Sequence, residues 1–203
     1  MAIFLIRHAQ SEANIQLKTS SHAEIALSQL GHQQAENLCH QLPYIHHVMA
    51  SQFLRAQQTA QPLLRTYHLE LQIDEDIHEF SYLSEQKCAN TNMQERKAWV
   101  DEYWQHADPD YKDGEDAESF TEFYTRVRHF HENLKHLILH YRRKNLAVIS
   151  HGQFLMLLLM QMEQPQACSQ QLMQEFRQNL LNQPIANAQI ITLEEMLHLP
   201  CAG

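Results

Sequence analysis

Apolar residues along this chain alternate between short continuous runs and longer stretches that repeat every three or four positions. The runs read as strands: Ala2–Arg7, His47–Ala50, Leu71–Ile77, Asn145–Ser150 and Ala188–Leu193. Within the fourth, the unbroken Leu-Ala-Val-Ile sequence is that of a strand buried on both faces. The stretches between them read as helices. Ser28 is placed to cap one that runs through Leu42, with Ala35, Leu38, Cys39 and Leu42 on a common face. Leu54–Tyr67, a segment opening at Gly152, and Cys168–Leu181 share the same period. Phe120, Phe123, Val127, Phe130, Leu134, Leu137 and Tyr141 step by three and four, which predicts a long amphipathic helix. Ser119-x-x-Glu122 offers that helix a capping box, and Asp116 is a competing start.

Strands alternating with helices imply a mostly parallel sheet covered on both faces, a three-layer α/β/α sandwich. One stretch breaks the alternation. Residues of about 80–117 are polar, aromatic in the middle and acidic towards the end, and read as a lid insertion over the sheet. A length of 203 residues suits one core carrying such an insertion, so residues 1–203 are expected to form a single domain.

Composition narrows the function classes. With 44% apolar and 19% charged residues the chain belongs among folded soluble proteins. No apolar run approaches the roughly 20 residues of a membrane span, so no membrane partner is expected. The first apolar stretch runs directly into Arg7-His8, unlike a secretory signal. A formal charge of −9 argues against a nucleic-acid partner and requires any phosphate site to be positive locally. Cys39, Cys88, Cys168 and Cys201 are scattered without disulfide-scaffold spacing, which suits a reducing cytoplasm. The 15 histidines show no HExxH or Cys/His spacing, so they read as surface residues and neither metal nor cofactor is expected.

In open parallel sheets ligands bind outside the carboxyl ends of the strands. Four of the predicted ends carry reactive side chains. The first strand delivers Arg7 and His8, with Gln10, Ser11 and Asn14 close behind. The second ends at Ser51 and leads into a helix carrying Arg55 in its first turn; the third is followed by Glu79 and the fourth by His151-Gly152. A cation beside an imidazole nucleophile is what phosphoryl transfer through a phosphohistidine needs.

The order LIRHAQSEAN resembles the opening signature of the histidine phosphatase (phosphoglycerate mutase-like) superfamily. ALSQLGHQQAENL, MASQFLRAQQTA, IHEFSYL, GEDAESF and AVISHGQFL are similar to later family segments, in the same order from residue 2 to about 157. The resemblance implies His8 as nucleophile, Glu79 as proton donor, and Arg7, Asn14, Arg55 and His151 around the phosphate. GEDAESF falls where the family supports its site from behind. Ala9 stands where a Gly often follows the histidine, and Phe-Ser-Tyr-Leu follows Glu79 where mutase-like members carry Trp and Gly. That second departure points away from a mutase.

Chemistry fills in the rest. Arg7 and Arg55 can fork onto the equatorial oxygens, a protonated His151 adds a third cation, and Gln10, Asn14 and the backbone at Gly152 offer neutral donors. Ser150-His151 lacks the G-x-S-x-G elbow of a serine nucleophile. The expected activity is metal-independent hydrolysis of a small phosphorylated substrate. Mutase-type transfer, phosphoprotein dephosphorylation and non-catalytic phosphate binding are the alternatives. Arg96, Lys97, Trp99 and Tyr103 in the insertion are candidates for substrate contact, with packing and a solvated helix face as their other reading.

Overall fold

A computed structural model describes residues 2–15, 18, 21–141 and 144–194 of the chain; Cys201 lies outside them. Its strands are β1 (Ala2–Arg7), β2 (His47–Ser51), β3 (Leu71–Asp74), β4 (Leu146–Ser150) and β5 (Ile190–Glu194). They form one sheet in the order β3-β2-β4-β1-β5. The first four are parallel, and only β5 runs antiparallel, along β1. Arg7 pairs with Ser150 and Ser51 with Asp74, so the carboxyl ends of the parallel strands are level at one edge.

Side-chain alternation divides the core in two. Phe4, Ile6, Val48, Ala50, Ala147 and Ile149 face α1 (Gln29–Gln41) and α2 (Leu54–Tyr67). Ile3, Leu5, Met49, Leu146 and Val148 face the other layer, built from α5 (Phe120–His140), α6 (Gly152–Glu163) and α7 (Gln170–Asn182). This is the expected three-layer α/β/α sandwich. Among the described residues no helix is long and apolar enough to cross a membrane.

Local chemistry moves several boundaries. The predicted strand Leu71–Ile77 stops at Asp74, whose carboxylate accepts from Asp76 N at 2.9 Å and turns Glu75–Ile77 into a 3-10 helix. Ser119 caps α5: its Oγ accepts from Glu122 N at 3.1 Å while Glu122 Oε2 accepts from Ser119 N at 2.9 Å. Asp116 is occupied elsewhere, accepting from Gln86 N at 2.9 Å. The last strand begins at Ile190 because Ala188 adopts a left-handed conformation, φ 56°.

Residues 80–117 contain α3 (Glu85–Cys88) and α4 (Met93–His106) and pack on α5 and α7 through aromatic rings. Phe80 stacks on Phe123 with centroids 4.3 Å apart, and Trp104 lies 6.0 Å from Phe176. Rings of this size dominate core energetics, which makes this packing the segment's main anchor.

Candidate active site

The end of β1 sets the geometry. His8 is 3% exposed, and its Nδ1 lies 2.7 Å from Ala9 O. A carbonyl only accepts, so Nδ1 carries the proton and the lone pair is on Nε2. Arg55 Nε donates to that Nε2 at 3.3 Å, and Arg55 Nη1 to the His22 carbonyl at 2.7 Å. Burial first, then the Arg55 and Arg7 charges, holds the His8 imidazole well below its ordinary range and therefore neutral. Burial also pushes Arg55 down to about 10, still fully protonated at neutral pH. Arg7 Nη1 donates to Ile185 O at 2.5 Å, while its buried Nε has no partner. A Cβ on Gly152 would lie 3.2 Å from that Nε, so glycine lets the guanidinium rest against the start of α6.

Glu79 reaches the same helix start. Its Oε1 accepts from Gln153 N at 3.1 Å and from Phe80 N at 3.2 Å, placing the carboxylate at the positive end of α6. Behind it, Arg126 donates to the carbonyls of Asp76, His78 and Glu79 at 2.7, 2.8 and 3.3 Å. Glu118 clamps that guanidinium from both sides, Nε–Oε1 2.6 Å and Nη2–Oε2 2.8 Å. The GEDAESF segment thus supports the Glu79 loop through a buried fork.

Arg7, His8, Asn14, Arg55, Glu79 and Gly152 all line one cavity of about 420 Å³. Gln10 and His151, also expected around the phosphate, do not. Gln10 is turned away because Ser28 Oγ donates to its Oε1 at 2.7 Å; it belongs to the α1 cap, not to the cavity wall. Its carbonyl also sits 1.9 Å from where a Cβ on Gly31 would be, so only glycine lets α1 approach this closely. His151 is fully buried behind the wall, its ring centroid 5.1 Å from that of His8 and its Nε2 2.6 Å from Ser51 Oγ. Burial, then Arg55 and His8, holds His151 well below the ordinary imidazole range. The free protein therefore carries it neutral, where the sequence suggested a third cation. Asn14 has its Oδ1 occupied by Ser11 N–H at 2.9 Å and Asn187 Nδ2 at 3.2 Å, which leaves its amide nitrogen to donate.

Of the insertion candidates only Arg96 lines the cavity, and its guanidinium is committed to Thr91 Oγ1 at 2.7 Å and Cys88 O at 2.9 Å. Lys97 pairs with Asp101 on the exposed face of α4. Tyr103 is buried among aromatic rings, and Trp99 packs beside the core with Lys87 Nζ 5.1 Å from its ring centroid. The acidic stretch does not enter the cavity either. Glu115, Asp116 and Glu118 border a neighbouring hollow that shares His22, Phe53 and Ser81 with it.

Sequence reading missed a brace that comes late in the chain. Asn187 Nδ2 donates to His8 O at 3.1 Å, and Ala188 N to Arg7 O at 3.1 Å, so the turn before β5 grips the end of β1. Pro184 and the Asn187 turn were the available signals. Among the described residues, no three His, Cys, Asp or Glu side chains gather as metal ligands.

An α/β sheet whose first strand ends on a buried, neutral histidine between two arginines is the architecture of a histidine phosphatase. The chain belongs to the histidine phosphatase superfamily (branch 1), whose family model matches residues 3–183. It is 34% identical over 166 residues to the adenosylcobalamin/alpha-ribazole phosphatase of Escherichia coli (strain K12), covering 78% of this chain and 77% of that protein. The alpha-ribazole phosphatase of Shigella flexneri has a similar fold, with TM-score 0.73, 23% identity, and coverage of 96% of this chain and 90% of that one. A mycobacterial glucosyl-3-phosphoglycerate phosphatase superposes with TM-score 0.68 at 16% identity, over 94% and 88% of the two chains.

Proposed function

We propose that this protein hydrolyses small phosphomonoesters through a phosphohistidine on His8, without a metal. The observation that carries this reading is the His8 ring: Nδ1–H is tied to Ala9 O and the unprotonated Nε2 accepts from Arg55 Nε at 3.3 Å. A neutral imidazole so held is a ready nucleophile beside a cation. Nε2 attacks phosphorus, the P–N bond forms as the P–O bond to the leaving group breaks, and Glu79 delivers a proton to the departing oxygen. Water then attacks phosphorus as the P–N bond breaks, Glu79 takes the proton from that water, and inorganic phosphate leaves with the neutral His8 ring restored.

Arg7 and Arg55 would meet the charge on the equatorial oxygens, with the Asn14 amide nitrogen and the open N–H of Gly152 completing the cradle. These two cations take the place a divalent ion has in metal-dependent phosphatases. The arriving dianion favours protonation of His151, one ring behind His8, which supplies the third positive charge only when substrate is present. Residues 80–117 serve as the lid of a single domain. The relative named for alpha-ribazole supports a ribazole-like phosphate as the substrate class.

Rapid quenching tests the reading. Wild type should yield a phosphoenzyme stable to alkali and labile to acid, absent from His8→Ala and unaffected by EDTA. An acid-stable, ester-like phosphoenzyme, or activity lost in EDTA and restored by a divalent ion, would overturn it.

A further inference from the structure

Four arginines line the cavity, and three of them are each anchored by at least one hydrogen bond. Arg7 holds Ile185 O, Arg55 holds His22 O, and Arg96 holds Cys88 O and Thr91. Arg177, on α7, is different. Among the described residues it makes no hydrogen bond and no ion pair; its guanidinium carbon lies 5.1 Å from the Trp104 ring centroid, and its charge also acts on Tyr82. Trp104 is itself fixed between Tyr82, at 5.3 Å, and Phe176, at 6.0 Å. The cation thus rests on a packed aromatic platform on the lid side of the cavity, with its donors unspent among the described residues.

The walls around it are apolar. Tyr82, Leu83, Val100 and Leu180 line the same cavity, Leu180 one turn along α7 from Arg177. A volume of about 420 Å³ lies within the range of roughly 300–1,000 Å³ typical of small-molecule pockets and exceeds what a phosphoryl group on a short polar alcohol would fill. A planar cation with one face on a tryptophan stacks well on a second ring with the other. Apolar walls beside it suit a flat, uncharged body better than a carboxylate, which would lose its hydration there.

We propose that Arg177 is a specificity-determining residue that stacks on an aromatic ring in the leaving group. The inference rests on the phosphatase reading and adds to it the residue that selects the alcohol. Adenosine 5′-monophosphate and ribose 5-phosphate make the test, because they share the scissile ester and differ at C1, where one carries an aromatic base and the other a hydroxyl. Wild type should prefer the adenosine ester. Arg177→Met should lower kcat/KM for that ester by roughly 2- to 30-fold, through KM, and leave ribose 5-phosphate unchanged. Arg177→Lys, which keeps the charge without the planar face, should fall between.

Equal losses on both esters, with a lowered Tm, would show that Arg177 only braces Trp104 and would overturn the proposal. So would a loss confined to phosphoserine, assayed as a third ester, which would make Arg177 a carboxylate reader. Ribose 5-phosphate keeps the two readings apart. Hydrolysis of it by wild type but not by His8→Ala sustains the phosphatase, and an unchanged ester ratio in Arg177→Met then sinks Arg177 alone. No hydrolysis of any ester by wild type removes both.

Discussion

The two walls of the cavity are held in different ways. At the sheet edge the four charged or titratable side chains that face the cavity from the strand ends are pinned to the main chain: His8 to Ala9 O, Arg7 to Ile185 O, Arg55 to His22 O, Glu79 to Gln153 N. On the opposite side the lining rings Phe80 and Tyr82 are held by Tyr103 and Trp104 behind them and, beyond those, by Phe120, Phe123 and Phe176. Main-chain hydrogen bonds fix a group to within tenths of an ångström, as in-line chemistry demands. Aromatic packing keeps a wall in place through many individually weak contacts, none of which aims a single polar atom. On the proposed reading, one wall carries the chemistry and the other selects the leaving group.

The strongest way to break this division is Glu79→Gln. As a general acid Glu79 should matter most for alkyl phosphates, whose alkoxides leave badly, with losses of about 10²–10⁴-fold. p-Nitrophenyl phosphate needs little protonation, and its single-turnover phosphorylation should slow far less. Equal losses on both would take Glu79 out of that role.

Trp104→Ala addresses the other wall. Removing a buried ring of this size should cost about 3–5 kcal/mol of stability, read from urea midpoints. Phosphorylation by p-nitrophenyl phosphate, measured below the melting range, should change by less than about tenfold, since none of the pinned groups is touched. A loss as deep as that of Glu79→Gln on alkyl esters would mean that the lid positions the chemistry as well.

The smallest effect is a pH dependence belonging to the sheet edge alone. His8 and His151 are held neutral in the folded chain, by burial first and the neighbouring Arg55 charge next. Once unfolded they bind protons below the ordinary imidazole value of about 6.5. Their contribution to stability is therefore complete above that pH and is lost as the pH falls towards their lowered folded values. The slope is at most about 1.36 kcal/mol per pH unit for each ring. His8→Ala should flatten the dependence between pH 6.5 and 5, and an unflattened curve would contradict a neutral, buried His8. The acid limb of kcat/KM, which reports the free enzyme, should likewise lie below the ordinary imidazole range.

How far the residues themselves reach is visible at particular positions. Ala2–Arg7 and Leu146–Ser150 are readable because continuous apolar runs leave a buried parallel strand as the simple solution, and Leu54–Tyr67 because its period is strong. From that alternation it follows that Arg7, His8, Arg55, Glu79 and Gly152 converge, since parallel strands joined by helices end at one edge whatever their side chains do next. Where each side chain turns after leaving the strand is a tertiary decision. Gln10 goes to Ser28, His151 retreats behind His8 to Ser51, and Tyr103 enters the core instead of the cavity. Asn187 reaches back to the carbonyl of His8, and Arg177 settles on Trp104. Periodicity tells which face of an element is buried, but these orientations depend on partners distant in the chain, which no local pattern records.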